Sequence, residues 1–378
     1  MSSKPQTQSI VQQLVRDRIF WLFTGIYLVA ATPYFFSSWD YYELSTYSWF
    51  VAAFFMLPFS VAVLWPRGDS IRSETERSFW KSLSVAFSLW WFISLVNWLS
   101  FVEAFGLYEF WTSSVDVATD FIYLGFYVSW LIALSFAPNT RYIQALEFKD
   151  RRLLAVGAVM TALALFLYFI LIPSRITPDS FETWIPSLLF FAGLDLILLL
   201  ILAMLMFRAA NARWRLIYCV MMVNAILFVS LDLLEAMDYS ERFQWATSAS
   251  TDLIWTIPYF LVVIGARLRT YEFDEKEIQE PRNGEPKENP ISAVSPIILA
   301  SLILPVLHIG LDHFDRIPEE LRQTRSSAVL ASLIIIWGLA YFENRSLRRT
   351  AMAARAQEME LENLRIHQTV SERSEQAK

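Results

Sequence analysis

Apolar residues fall in ten long runs separated by charged or aromatic stretches. The first eight cover roughly Ile19 to Phe36, Tyr47 to Trp65, Trp80 to Val102, Val117 to Phe136, the stretch after Arg151 and Arg152 to Ile172, Trp184 to Phe207, Trp214 to Leu234, and Thr251 to Leu268. Two more follow near Ile291 to Leu311 and Ser327 to Tyr341. Each is about the ~20 residues that a helix rising ~1.5 Å per residue needs to cross a hydrocarbon core. The pattern predicts an all-α fold, a polytopic membrane helix bundle of about ten transmembrane helices with both chain ends on one side.

The eighth run has a twin in the fourth. Thr251 to Ile264 and Thr119 to Ile132 align without a gap and share Thr, Asp, an Ile, a Tyr and a closing Ile, with Trp255 standing where Tyr123 does. Trp111-Thr-Ser-Ser matches Trp245-Ala-Thr-Ser, and Phe92-Ile-Ser-Leu matches Phe228-Val-Ser-Leu, in the same order. Eight helices therefore read as two four-helix repeats, 19–136 and 137–272, after a cytoplasmic segment 1–18. An even number of spans per repeat makes the copies parallel, related by a pseudo-twofold axis along the membrane normal. Residues 273–290 are charged and proline-bearing and read as a cytoplasmic linker, 291–342 as an appended helix pair, and 343–378 as a cytoplasmic helix. In that tail Leu347, Ala354, Leu361 and Leu364 form a thin heptad seam, which predicts a homodimer through a short coiled coil.

Composition agrees with a bilayer as solvent: the 378 residues are 55% hydrophobic and 16% aromatic, with only 18% charged. A net charge of −6 leaves no basic face for nucleic acid. A lone cysteine, Cys219, excludes disulfides, zinc clusters and iron–sulfur centres within the chain. Met1 to Gln13 is polar and no cleavage site follows the first apolar run, so no signal peptide is expected. Arg16 and Arg18, Arg67 and Arg72, Arg141 to Arg152, and Arg208 to Arg215 mark alternate connections, while those between carry Asp40, Glu43, Glu103, Glu109, Asp116, Asp179, Glu182, Asp238 and Glu241. The positive-inside bias then predicts a multi-pass inner-membrane protein with cytoplasmic N and C termini.

Ionisable residues within spans cost roughly 2.5 to 3.5 kcal/mol at mid-depth on insertion scales, so each invites a reason. Asn97, Asp120, Asp232 and Asp252 are expected to gather at one depth near the extracytoplasmic mouth. Tyr123 and Tyr127 follow Asp120 at i+3 and i+7, as Trp255 and Tyr259 follow Asp252, on the helix face of the acid. Carboxylates walled by aromatics suit a cationic or amphipathic small ligand. The plainer reading of Asp120 and Asp252 is helix capping, which is unavailable to Asp232 at the far end of its helix. Asp195 lies deepest and either pairs inside the bundle or is protonated. Pro258 breaks a backbone bond within the eighth span and marks a hinge or a static bend.

Catalysis finds little support. His308 and His313, with Asp312 and Asp315, stand near the end of the ninth span as a weak metal candidate or a solvated loop, and no haem-type histidine pair, phosphate loop or nucleophile elbow occurs. No cofactor or metal is expected, and the chain is not read as an enzyme.

An Asp-x-x-Trp-x-x-Pro in a late span (Asp252, Trp255, Pro258), following many spans and preceding a last span that runs into a charged helix, resembles the membrane sensor modules of bacterial diguanylate cyclases and histidine kinases. The resemblance implies a small-molecule receptor that signals through its emerging helix to a cytoplasmic PAS, GGDEF, EAL or kinase domain. No such domain occurs before Lys378, so either a longer receptor or a recruited cytoplasmic effector is expected. The alternative is a secondary transporter or channel built on the same two repeats.

Overall fold

In a computed structural model of the chain, the described residues are 9–36, 39, 41–67, 71, 73–101, 116–139, 148–177, 184–209, 211–239, 253–273, 294–314, 316–338, 341 and 345. Among them the ordered elements are helices. α1 (Ile10–Arg16) and α2 (Arg18–Phe36) meet at Asp17. α3 runs from Tyr41–Val51 through a π-helical turn, Ala52–Met56, into Leu57–Leu64. α4 (Glu74–Phe101) and α5 (Asp116–Ser135) follow. α6 passes from Phe148–Phe166 through a second π turn, Leu167–Leu171, into Ile172–Ile176. Then come α7 (Trp184–Arg208), α8 (Ala212–Tyr239), α9 (Ile257–Leu268) and α10 (Val294–His313), with a further helix, α11, over 319–338.

Helix starts follow local chemistry. Ser9 and Gln12 form a capping box on α1, Ser73 Oγ accepts the Glu76 N–H at the start of α4, and Asn211 Oδ1 accepts the Trp214 N–H at the start of α8. Both π turns lie just ahead of an internal proline, Pro58 or Pro173. A proline ring presses on the carbonyl four residues back and has no N–H to offer it, so widening the preceding turn relieves the clash without ending the helix.

Among the described residues six helices are long and apolar enough to cross a membrane: Arg18–Phe36, Thr46–Leu64, Glu74–Val96, Ala155–Ile176, Ser187–Arg208 and Ala212–Glu235. Thr119–Ser135, Ile257–Leu268 and Leu302–His313 are apolar but shorter. Their outward faces are apolar too, with Leu22, Val29, Phe36, Leu200 and Phe207 more than half exposed. A helix apolar all round belongs in lipid, and the protein is a membrane-embedded helical bundle.

Inside, the packing is aromatic: Trp80, Trp130, Trp214, Tyr127, Tyr168 and Tyr218 are fully buried. Consecutive helices pack together as α2 with α3, α3 with α4, α4 with α5, α5 with α6, α6 with α7, α7 with α8 and α8 with α9. The bundle closes where α9 meets α2 and α3, and α5 also meets α7. α4 and α8 touch at the centre, where the Trp80 and Trp214 rings lie 6.0 Å apart. α10 leans on α6, held by the Tyr168 hydroxyl against His308 Nδ1 at 2.7 Å.

One expectation about the spans changes. The eighth span is not one continuous helix, because a turn at 255–256 precedes α9 and puts Pro258 in its first turn, where a missing N–H is harmless. The second span, Thr46–Leu64, falls within a residue of where it was read, and its helix extends outward to Tyr41 through hydroxyl-rich first turns. The linker beyond residue 273, the seam of the tail, and the loops carrying Glu103, Asp179 and Glu241 lie outside the described residues.

Candidate functional site

The sequence-named residues meet around two centres. α5 and α7 begin at the same end of the bundle, for Ser187 Oγ donates to Asp120 Oδ2 at 2.6 Å and both residues are buried. Tyr127 stands seven residues beyond Asp120, and Asp195 eight beyond Ser187, so each lies about 10 to 12 Å farther along its helix. There the buried Tyr127 hydroxyl donates to Asp195 Oδ2 at 2.9 Å. Asp232 of α8 is the third member, within interaction range of both Asp195 and Tyr127. Asp195 is 0% and Asp232 6% exposed, and among the described residues nothing donates to Asp195 Oδ1 or Asp232 Oδ2.

Asp232 therefore stands beside Asp195. α7 and α8 are an antiparallel hairpin, and side chains tilt toward the start of their own helix, so Asp195 and Asp232 lean toward each other. The sequence singled out both acids but did not pair them. The signal was present in the short 209–211 connection, which makes α7 and α8 neighbours.

The second centre is Trp90 of α4, which sequence reasoning missed. Its ring lies 5.4 Å from Tyr123, 5.1 Å from Phe228 and 6.4 Å from Trp255, and its Nε1 donates to the Tyr259 hydroxyl at 2.7 Å. Tyr123, Trp255 and Tyr259 are thus gathered around one tryptophan. Asp252 and the side chain of Asn97 lie outside the described residues.

A third group, at the end bearing Arg67, Arg267 and Arg269, had no sequence signal. Asp17 Oδ2 accepts from Arg267 Nε at 2.6 Å and from the Tyr271 hydroxyl at 2.7 Å, while its Oδ1 accepts the Ile19 N–H at 2.8 Å. The Gln13 side-chain amide adds two bonds with the backbone of Glu272, at 2.8 and 2.9 Å. Burial alone pushes the Asp17 carboxyl up, but the Arg267, Tyr271 and Ile19 hydrogen bonds and the Arg267 charge more than offset it, so it stays below the usual range. Burial, followed by the Asp17 bond and charge, pushes the Tyr271 phenol up. Burial, with Arg267 and Arg67 nearby, brings Arg269 down to about 10. It remains charged at neutral pH, donates to the Val63, Leu64 and Trp65 carbonyls that end α3, and lies over the Trp80 ring at 5.1 Å.

Among the described residues no group of three His, Cys, Asp or Glu is placed to hold a metal. His308 is engaged by Tyr168 and Ser326, and Asp312 by Arg322. Comparison of the chain with protein-family models, curated proteins and solved structures returned no match.

Proposed function

We propose that the protein is a sensory module of an inner membrane, with both termini cytoplasmic, that binds a small ligand at its buried acids and passes the change inward. It carries no catalysis of its own and signals to a cytoplasmic effector domain or partner, as a homodimer joined through its tail. The observation that carries this is the Tyr127–Asp195–Asp232 cluster, in which two acids from neighbouring helices lie buried with oxygens unpaired. Buried ionisable groups in a membrane bundle are retained for binding or response, since stability alone disfavours them. The basic end with Arg67, Arg267 and Arg269 is then the cytoplasmic one.

Two four-helix repeats within a ten-span chain fit the packing order. Moving four helices along turns α2–α3 into α6–α7, α3–α4 into α7–α8, α4–α5 into α8–α9, α5–α6 into α9–α2 and α5–α7 into α9–α3, each of them a packed pair. α4 and α8 exchange with each other, as helices flanking a twofold axis must.

A secondary transporter is the second reading. It is favoured by buried polar groups lined along α5, α7 and α8, from Asp120 through Asp195 and Asp232 to Asn224 and Tyr218. The test uses the full chain in nanodiscs and a panel of organic cations, tetramethylammonium and alkylamines among them. At least one should raise the melting temperature of the wild type and not of Asp232→Asn. Asp232-dependent flux into proteoliposomes that survives removal of residues 343–378 would sink the sensor in favour of the transporter.

A further inference from the structure

We infer that Asp195 and Asp232 form a binding site for one exchangeable proton, held between the two carboxyl groups and steadied by Tyr127. This deepens the reading of the cluster above by naming its ligand. Among the described residues the titratable groups around the pair are all acids or phenols: Tyr123 and Tyr127 from α5, Asp195 from α7, and Asp232 with Glu235 from α8. Among the described residues no Lys, Arg or His pairs with either aspartate. Two carboxylates at this depth repel each other and have lost their hydration. Tyr127 offers one O–H, already given to Asp195 Oδ2. Asp195 Oδ1 and Asp232 Oδ2 are therefore acceptors without donors, in side chains more than nine-tenths buried. A single proton cures both faults. It removes one charge, and it makes one carboxyl a donor to the other, closing a chain from Tyr127 through Asp195 to Asp232. The step is simple acid–base exchange with water, with no redox partner. The Asp120–Ser187 pair stands two helical turns away, at the shared start of α5 and α7.

Infrared difference spectroscopy on the full chain in nanodiscs, between acid and alkaline buffer, tests this. A carbonyl-stretch band of a protonated carboxyl in an apolar setting should appear at low pH, shift in deuterium oxide, vanish in both Asp195→Asn and Asp232→Asn, and ignore exchange of sodium for potassium. Tyr127→Phe, which keeps both acids, should move the band without abolishing it. Persistence of the band in both Asn variants overturns the proposal, as does a band indifferent to Tyr127→Phe. Displacement by sodium at fixed pH also overturns it, making the pair a sodium site. An intact band beside a protein that responds to no organic cation removes the cationic-ligand reading and leaves the proton site standing.

Discussion

Two tyrosines in this bundle donate to a buried aspartate, and the groups they serve differ in one partner. Tyr271 reaches Asp17 at 2.7 Å, and Arg267 adds a cation at 2.6 Å. Tyr127 reaches Asp195 at 2.9 Å, and the neighbour is a second acid, Asp232. The first set is closed: one negative charge, one positive charge, and both carboxylate oxygens occupied. The second has excess negative charge and idle oxygens. The same bond thus fastens α1 and α2 to the end of α9 in one place, and in the other leaves something for a mobile species to complete.

Breaking the closed set should have the largest effect. Asp17→Ala strands Arg267, leaves the Tyr271 hydroxyl without its acceptor and removes the cap on α2, a combined loss of about 3 kcal/mol. Denaturant titration in detergent, followed by tryptophan fluorescence, measures it, and a loss below ~1 kcal/mol would make the clasp ornamental. Because the folded pKa of Asp17 lies below its ordinary 3.8, its contribution is complete above that value and disappears as pH falls through the lower folded one. The wild type should lose stability relative to Asp17→Asn only on acidification below about pH 4. A loss already present near neutrality contradicts the assignment. Tyr271→Phe keeps the ion pair and should cost about 1.5 kcal/mol on the same titration.

Helix positions were legible because hydropathy reports lipid contact directly: the run from Trp184 to Phe207 differs from α7 by one residue. What pairs with what was less so. Asp17 and Arg267 stand 250 residues apart, and nothing local to either names the other. Depth counting grouped Asp232 with Asp120 and did not pair it with Asp195, since the tilt of side chains along an antiparallel hairpin sets that neighbour, and that needs the helix faces. The aromatic content was plain, but Trp90 passed as one tryptophan among many, since its role as a hub comes from three other helices, α5, α8 and α9, packing around it.

On the open side of the comparison the sign should reverse. Asp232→Asn supplies an N–H donor where two acids faced each other, so stability should change by less than ~1 kcal/mol or rise, while the response to acid that depends on this pair is lost. Asp195→Asn gives the same direction and a smaller gain, because Tyr127 then donates to an amide rather than a carboxylate. A loss of ~3 kcal/mol in either variant would make the acid pair a structural lock like the one at Asp17.

The smallest effect is expected at Pro258, which stands on the helix that carries Arg267 at its other end. An internal proline would free a carbonyl and let α9 bend between the Trp90 hub and the clasp, so Pro258→Ala would stiffen it and mute any coupling. In the first turn the proline only fixes φ where no helical N–H bond is made, and α9 runs unbroken beyond it to Leu268. Pro258→Ala should then change stability by less than ~0.5 kcal/mol. It should also leave the distance between spin labels on α1 and on the start of α9 equally sensitive to pH. A variant that keeps its stability but loses that sensitivity would restore the hinge, and would tie the clasp to the acids through bending rather than rigid motion.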